Sequence, residues 1–381
     1  MIKELDKRKR IAIVTSGHSP YDDRIFWKFG ITLSDNYDIC IITSTENINS
    51  SFNNISLKGF NDYLNIKDKI DKFLELLKNF NPDLIICEEP VTVFAAIKFK
   101  IIKENVKIIL DVTEWYPENI AHKQRFLKAI FIYITLYSMN IVISNFVDWI
   151  IIGETSKRKR YDLIAPFKPK SIIGYYPVMK YFNYHLPKFS GKSIVLCYAG
   201  VITFQRGIIN LLRVANILAD KRPKIEVQLL IIGKFSYKDE EIEFKRLTDE
   251  QNKVKVSFKG WNTYDEFSEN LKDADICFDL RERNFIYRNS LPIKIFEYMA
   301  CGKPFIYSDI IPIRKELGNI ECGFLVNPND LNEVVNRIED YIDNKSLLIN
   351  HSKNGRLKIE NGKNWENESV KLLNLIEILL K

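Results

Sequence analysis

Hydrophobic positions in this chain gather into runs of about five or six residues, separated by stretches with helical spacing. The first series opens with RIAIVTSG, follows with a helical pattern from Asp23 to Leu33 and the run YDICIIT, then a helical stretch from Ile66 to Phe80. PDLIICEE, a further helix and VKIILDVTEWYPE complete it. At Ser193 the pattern restarts. SIVLCYAG, a helix from Gly207 to about Asp220, VQLLIIGK, a helix near 238–250, VKVSFKG, a helix from Tyr264, ADICFDL, a helix after Leu291, KPFIYSD and GFLVNP follow one another. Short apolar runs alternating with amphipathic helices predict a parallel sheet covered on both faces. Two Rossmann-like, doubly wound parallel-sheet domains in tandem are the expected α/β architecture.

The expected division is 1–178, 179–366 and a terminal helix at 367–381 that can return to the first domain. The aromatic and proline-rich segment 175–192 (YYPVMKYFNYHLPKFSGK) reads as the junction. Ligands of open parallel sheets sit outside the carboxyl ends of the strands, so two such domains are expected to face a shared cleft. The segment LPIKIFEYMACGKP, 291–304, stands out there. It sets Lys294 and Glu297 three apart on a helix bounded by prolines, with Ile293, Phe296 and Ala300 on another stripe. An exposed Lys–Glu pair is the plain reading of that spacing. Arg281, Glu282, Arg283, Arg288, Asn289 and Ser290 precede it, after an apolar strand, and this is the setting of an anion-binding site.

Composition narrows the class. The chain has 381 residues, 46% apolar and 28% charged, which suits two globular domains. Its six cysteines show no CxxC spacing and no neighbouring histidine, so they read as reduced core residues of a cytoplasmic protein, with no metal expected. The opening MIKELDKRKR lacks the apolar core of a signal peptide, and this run and the second basic cluster at 157–160 read as solvated charge. A net charge of +7 fits an anionic partner. Nucleic acid is not that partner, because the basic residues form no aromatic-interleaved face. Residues 129–147 carry no charge, behind Lys123, Arg125 and Lys128. Their polar side chains argue for a buried or interfacial helix rather than a membrane span, and the basic start suits peripheral contact with anionic lipid.

The turn YAGVITFQRG supplies the remaining charge. Gly200 permits close backbone approach, and Arg206 stands just before the helix that starts at Gly207. Arg206 and Lys294 together suit a diphosphate. Glu297 can accept two hydroxyl protons at once, as the vicinal diol of a ribose requires.

These residues carry a family resemblance over nearly the whole chain. From YAGVITFQRG through LLIIGK, VSFKGW and SLPIKIFEYMACGKPFIYSD to GFLVNPND, the second half resembles the donor domain of family 4 retaining glycosyltransferases. SGHSPYDDRIFWKF, DVTEWYPE, FVDWIIIGET and IIGYYP follow the same order in the first half. The resemblance implies a GT-B fold, a UDP- or GDP-type nucleotide sugar as donor substrate, no other cofactor and no catalytic metal. Glu297 matches the family's ribose-binding glutamate and Arg206 the second basic residue of its diphosphate pair. Catalysis is accordingly expected from Arg206, Lys294 and Glu297, and donor binding from these with Gly17, Gly200, Val201, Gly233, Asn289 and Ser290. Three positions depart from the pattern. Asn289 replaces a sugar-contacting glutamate, Val201 the first basic residue, and Thr113 a frequent histidine; Lys294 offers a charge in place of the one missing at Val201.

On the acceptor side the candidates are Glu88, Glu89, Asp111 and Glu114. Any one of them suits orientation of an acceptor hydroxyl, and helix capping is the plainer role for each. His18 and His122, in loops on the same side, read as solvated. The expected activity is sugar transfer to a glycan or lipid-linked acceptor in cell-envelope polysaccharide assembly, on the cytoplasmic face. The alternative is a non-catalytic nucleotide-sugar-binding subunit of an active transferase. A nucleotide-sugar epimerase would need an acid–base pair that the sequence does not supply.

Overall fold

A computed structural model describes residues 8–61, 64–251, 253–261 and 263–381, so most of the basic N-terminal run lies outside it. The chain forms two compact units. The first runs to Tyr175 and includes Trp365–Lys381; the second is Tyr176–Asn364.

The first unit holds strands β1 (Arg10–Thr15), β2 (Asp38–Thr43), β3 (Asn49–Phe52), β4 (Ile55–Gly59), β5 (Leu84–Cys87), β6 (Lys107–Val112), β7 (Trp149–Ile152) and β8 (Lys170–Ile172). They form one eight-stranded sheet in the order β3-β4-β2-β1-β5-β6-β7-β8. Every pairing is parallel except β3 with β4, a hairpin that the reading of this half as wholly parallel omits. Strand order reverses between β1 and β5, so the chain leaves their carboxyl ends towards opposite sides and opens a crevice there. The helix expected from Asp23 is π-helical over Asp23–Gly30 and becomes α-helical over Ile31–Ser34.

Two helices of this unit differ from expectation. The terminal helix starts at Trp365, slightly before 367, and docks on this unit. There the Trp365 indole donates to Thr32 Oγ1 at 2.8 Å, and Glu368 Oε2 accepts the Gly174 amide at 2.7 Å. The uncharged stretch lies in a helix over Phe126–Phe146, of which only Asn140, Ile143 and Ser144 are buried. Its inner side meets the core through Ile143, Tyr137 and Met139. Its outer side is in solvent, with Leu127 80% and Phe131 72% exposed, so the buried alternative fails.

The second unit holds β9 (Ser193–Ile202), β10 (Glu226–Phe235), β11 (Lys255–Lys259), β12 (Ile276–Asp279), β13 (Phe305–Ser308) and β14 (Gly323–Val326). The sheet is wholly parallel, ordered β11-β10-β9-β12-β13-β14, with its reversal between β9 and β12. Much of the segment read as a junction is laid onto this unit. Asp275 Oδ1 accepts the Lys188 and Phe189 amides at 2.6 and 2.8 Å, and the Tyr264 hydroxyl accepts the Val178 amide at 3.0 Å. All six cysteines are free and buried, as expected of core residues.

Gly200 and Gly233 are register partners near the ends of β9 and β10, with φ of +133° and +142°. A Cβ on Gly233 would lie 1.9 Å from the Gly200 carbonyl oxygen, which is backbone and cannot yield cheaply. Gly233→Ala is therefore expected to destabilise the protein by at least ~2 kcal/mol in chemical denaturation; an unchanged midpoint would contradict this account of the strand ends.

Candidate functional site

In the second unit the candidate site assembles at the sheet reversal. The helix Lys294–Ala300 is fixed to β9 by Tyr298, whose hydroxyl accepts the Ala199 amide at 3.0 Å and donates to the Ala199 carbonyl at 3.1 Å. That contact sets Lys294 beside Gly200: a Cβ there would be 3.6 Å from Lys294 Cε. Lys294 Nζ lies 4.3 Å from the Phe267 ring centroid and 2.8 Å from Glu297 Oε2. Glu297 is 1% exposed, so the plain reading of a surface pair fails. Its Oε2 has no hydrogen-bond partner, because the lysine approaches off the direction such a bond needs. A buried carboxylate neutralised by one cation and short of donors is suited to polar hydrogens from a ligand.

Arg206 is held by its own turn. Its backbone N–H reaches the Thr203 side chain at 3.2 Å, and one guanidinium nitrogen donates to the Val201 carbonyl at 3.4 Å. The Tyr198 hydroxyl also donates to that carbonyl, at 2.6 Å. Val201 thus contributes its backbone as an anchor for Arg206. Gly207, at φ +83°, ends this turn where a Cβ would fall 2.1 Å from the Leu280 carbonyl oxygen. The Glu282 amide in turn donates to Gln205 O at 2.8 Å, tying the loop after β12 to the Arg206 turn.

That loop brings in Arg281, named in the sequence only as context. It is buried, pairs through both nitrogens with Asp279 (Nε to Oδ1 2.8 Å), and lies 5.3 Å from the Tyr287 ring centroid. A cation placed directly after an apolar strand was the available signal. Asn289 ends the helix Phe285–Asn289, with its amide donating to the Phe285 carbonyl at 2.7 Å; Ser290 caps the same helix. The structure therefore brings Gly200, Lys294 and Glu297 together, with Gly233 beside Gly200. Arg206 joins them through Val201, while Asn289 turns back on its own helix.

The first unit carries its charged groups at the β1–β5 reversal. Glu89 Oε1 accepts the Thr15 hydroxyl at 2.9 Å and the Gly17 amide at 3.0 Å, and Oε2 accepts the Ser16 amide at 2.8 Å. Gly17 thus serves the loop after β1 through its amide. Beside it Glu88 is buried, with Oε2 lacking a hydrogen bond and lying 3.8 Å from His18 Nε2. His18 Nδ1 is 3.4 Å from Asp22, so His18 is not the solvated loop histidine expected of it. His122, by contrast, is exposed and faces the Glu118 and Asn119 carbonyls.

Asp111 takes no capping role. It receives Arg24 through Nε at 2.5 Å and a terminal nitrogen at 2.7 Å. Arg24 is 1% exposed, between the Phe29 and Tyr175 rings at 4.5 and 4.0 Å, and also donates to the Ile173 carbonyl at 3.3 Å. Glu114 reaches the Asn119 amide at the surface, and the Thr113 carbonyl accepts Lys157 Nζ at 3.0 Å. Among the described residues His18, Glu88 and Glu89 form the group whose ligand atoms, within 4.8 Å of one another, suit a metal. Both oxygens of Glu89 are already taken by the loop, so this set is a poor cage.

Residues 186–358 match the family model described as glycosyl transferases, group 1. The match covers most of the second unit. A curated relative, an uncharacterized glycosyltransferase of Haemophilus influenzae, is 24% identical over 306 residues, covering 78% of this chain and 77% of its own. Among solved structures, sucrose-phosphate synthase of Thermosynechococcus elongatus superposes with a TM-score of 0.73 at 17% identity, over 98% of this chain and 99% of that one. HepE of Anabaena, solved with UDP, does so at 0.71 and 12% identity, over 97% and 99%. At such identities the likeness shows the fold, and the fold is GT-B, as the resemblance implied.

In the first unit, burial opposes charge on His18, but Glu88, Asp22 and Glu89 outweigh it and push the imidazole up to about 11. Glu88 is raised in turn, chiefly by burial and against the pull of His18, so the titration belongs to the pair. A raised folded value adds stability that is complete below about 6.5 and lost as pH climbs towards 11. His18 is expected to remain imidazolium through neutral pH in an NMR titration; a ring midpoint at or below 6.5 would contradict the geometry.

Proposed function

We propose that this chain is a retaining glycosyltransferase that moves a sugar from a UDP- or GDP-type donor to a glycan or lipid-linked acceptor. The setting inferred is cell-envelope polysaccharide synthesis at the cytoplasmic face. The observation that carries donor binding is the buried Glu297, short of hydrogen-bond donors, beside Lys294 at the end of β9. Glu297 takes the ribose hydroxyls, and Lys294 and Arg206 take the diphosphate. HepE, solved with UDP and with UDP-glucose on the same fold, supports the nucleotide-sugar part of this reading.

In the reaction, the bond from the anomeric carbon to the phosphate oxygen breaks as the acceptor oxygen bonds to the same face of that carbon. The acceptor proton passes to an oxygen of the departing diphosphate, so no protein nucleophile is needed. Negative charge gathers on the leaving group, where Lys294 and Arg206 are already placed and need little reorganisation. Fixed cations take the role a divalent ion would otherwise fill, so the activity is assigned as metal-independent. Acceptor recognition falls to the first unit. Asn289, turned onto the Phe285 carbonyl, keeps the non-catalytic subunit as the second reading.

Release of free nucleoside diphosphate from a panel of nucleotide sugars, with glycan and lipid acceptors, tests this. Arg206→Ala and Glu297→Ala are each expected to lower the rate about 10²–10³-fold, and EDTA to leave it unchanged. Donor binding without turnover under every condition would support the non-catalytic reading. Activity surviving both substitutions would remove the site assignment.

A further inference from the structure

The helix Phe126–Phe146 belongs to neither candidate site, and its exposure is out of keeping with its composition. Its solvent-facing residues recur every three or four positions: Leu127, Phe131, Ile134, Ser138, Ile141 and Asn145. That spacing is one continuous helical face, running about 30 Å along a helix of this length. A helix apolar all round is normally buried, whereas here 11% of its most apolar window is covered.

A second element extends the face. Asn145 Nδ2 donates to the Ile164 carbonyl at 2.8 Å, joining the helix to the one over Arg158–Ile164. Leu163 on that helix is 76% exposed and Phe167, in the turn after it, 93%. Apolar side chains presented from two adjoining elements exceed the scattered exposure normal for a soluble surface.

The charge around the face decides its partner. Lys123, Arg125 and Lys128 are exposed at the start of the helix and make no ion pair among the described residues, and Lys159 is exposed on the adjoining helix. Asp162, the acid nearest Leu163 in sequence, is neutralised by Arg158 at 2.9 Å and Lys170 at 3.7 Å. An apolar face with a cationic border, on a helix anchored by its other side, is the physical form of an interfacial membrane contact.

We propose that the faces of these two helices dock the first unit onto the surface of an anionic lipid bilayer, with the long helix lying in the plane of the interface. This rests on exposure and charge alone and does not depend on the transferase reading.

Flotation of the full chain with vesicles tests it, comparing phosphatidylcholine alone with phosphatidylcholine mixed with phosphatidylglycerol. Binding is expected to the mixed vesicles and to weaken as salt rises. Phe131→Asp and Phe167→Asp should each cut the bound fraction about tenfold, with the thermal melt unchanged. If an apolar variant misfolds, Lys123→Gln, Arg125→Gln and Lys128→Gln combined should produce the same loss. Donor binding in free solution should survive every variant, which separates failure here from failure of the proposed function. Absence of flotation, or flotation indifferent to these changes, would overturn the proposal. So would a dimer that Phe131→Asp dissolves, showing a second copy on the face, or resistance to alkaline extraction, showing a span.

Discussion

Everything at the candidate donor site depends on one hydroxyl. Tyr298 both accepts from and donates to the backbone of Ala199, so the helix carrying Lys294 and Glu297 is fastened to the last turns of β9 rather than resting against them. Buried polar bonds of this kind act at full electrostatic strength and specify a single arrangement. Glu297 is buried with Lys294 held next to it, and a Cβ on Gly200 would meet Lys294 Cε at an ordinary 3.6 Å, so it is the φ of +133° that calls for glycine there. The Gly200–Gly233 pair, in turn, lets two strand ends approach more closely than any Cβ would allow.

The two units solve a common problem in different ways. Where strand order reverses, the ends of neighbouring strands diverge, and the polar groups there need partners. In the first unit the carboxylate of Glu89 gathers the loop after β1, and Arg24 with Asp111 locks the helix beneath it to the segment before Tyr175. In the second unit the cations are gathered instead, with Arg281 satisfied by Asp279 and Arg206 turned onto the Val201 carbonyl. Arg281 is neutralised within the protein. Arg206, with no ion pair among the described residues, remains the group through which an anion is best received, beside Lys294, whose charge is shared with Glu297.

Much of this was legible in the sequence, for identifiable reasons. Buried parallel strands are apolar at every position, so IAIV, LIIC, VLCYAG and ICFD announced themselves, and the spacing of Lys294 and Glu297 survived into the structure. The β3–β4 hairpin did not, because NSSF has no apolar face; its signal was the turn, where Asn53 and Asn54 both take positive φ. Arg24 with Asp111 and His18 with Glu88 were illegible for another reason. Their partners lie 87 and about 70 residues apart, and only the strand order brings them together. Composition showed the uncharged helix but not which side faced water.

The central claim is that Glu297 reads the ribose of a nucleoside diphosphate. Calorimetric titration of the protein and of Glu297→Ala with UDP and GDP, and with the 2′,3′-dideoxy forms of each, tests it most directly. The account predicts that the native protein binds one natural diphosphate about tenfold or more tightly than its dideoxy form, and that Glu297→Ala loses the distinction. Equal affinity of the native protein for both forms would contradict it.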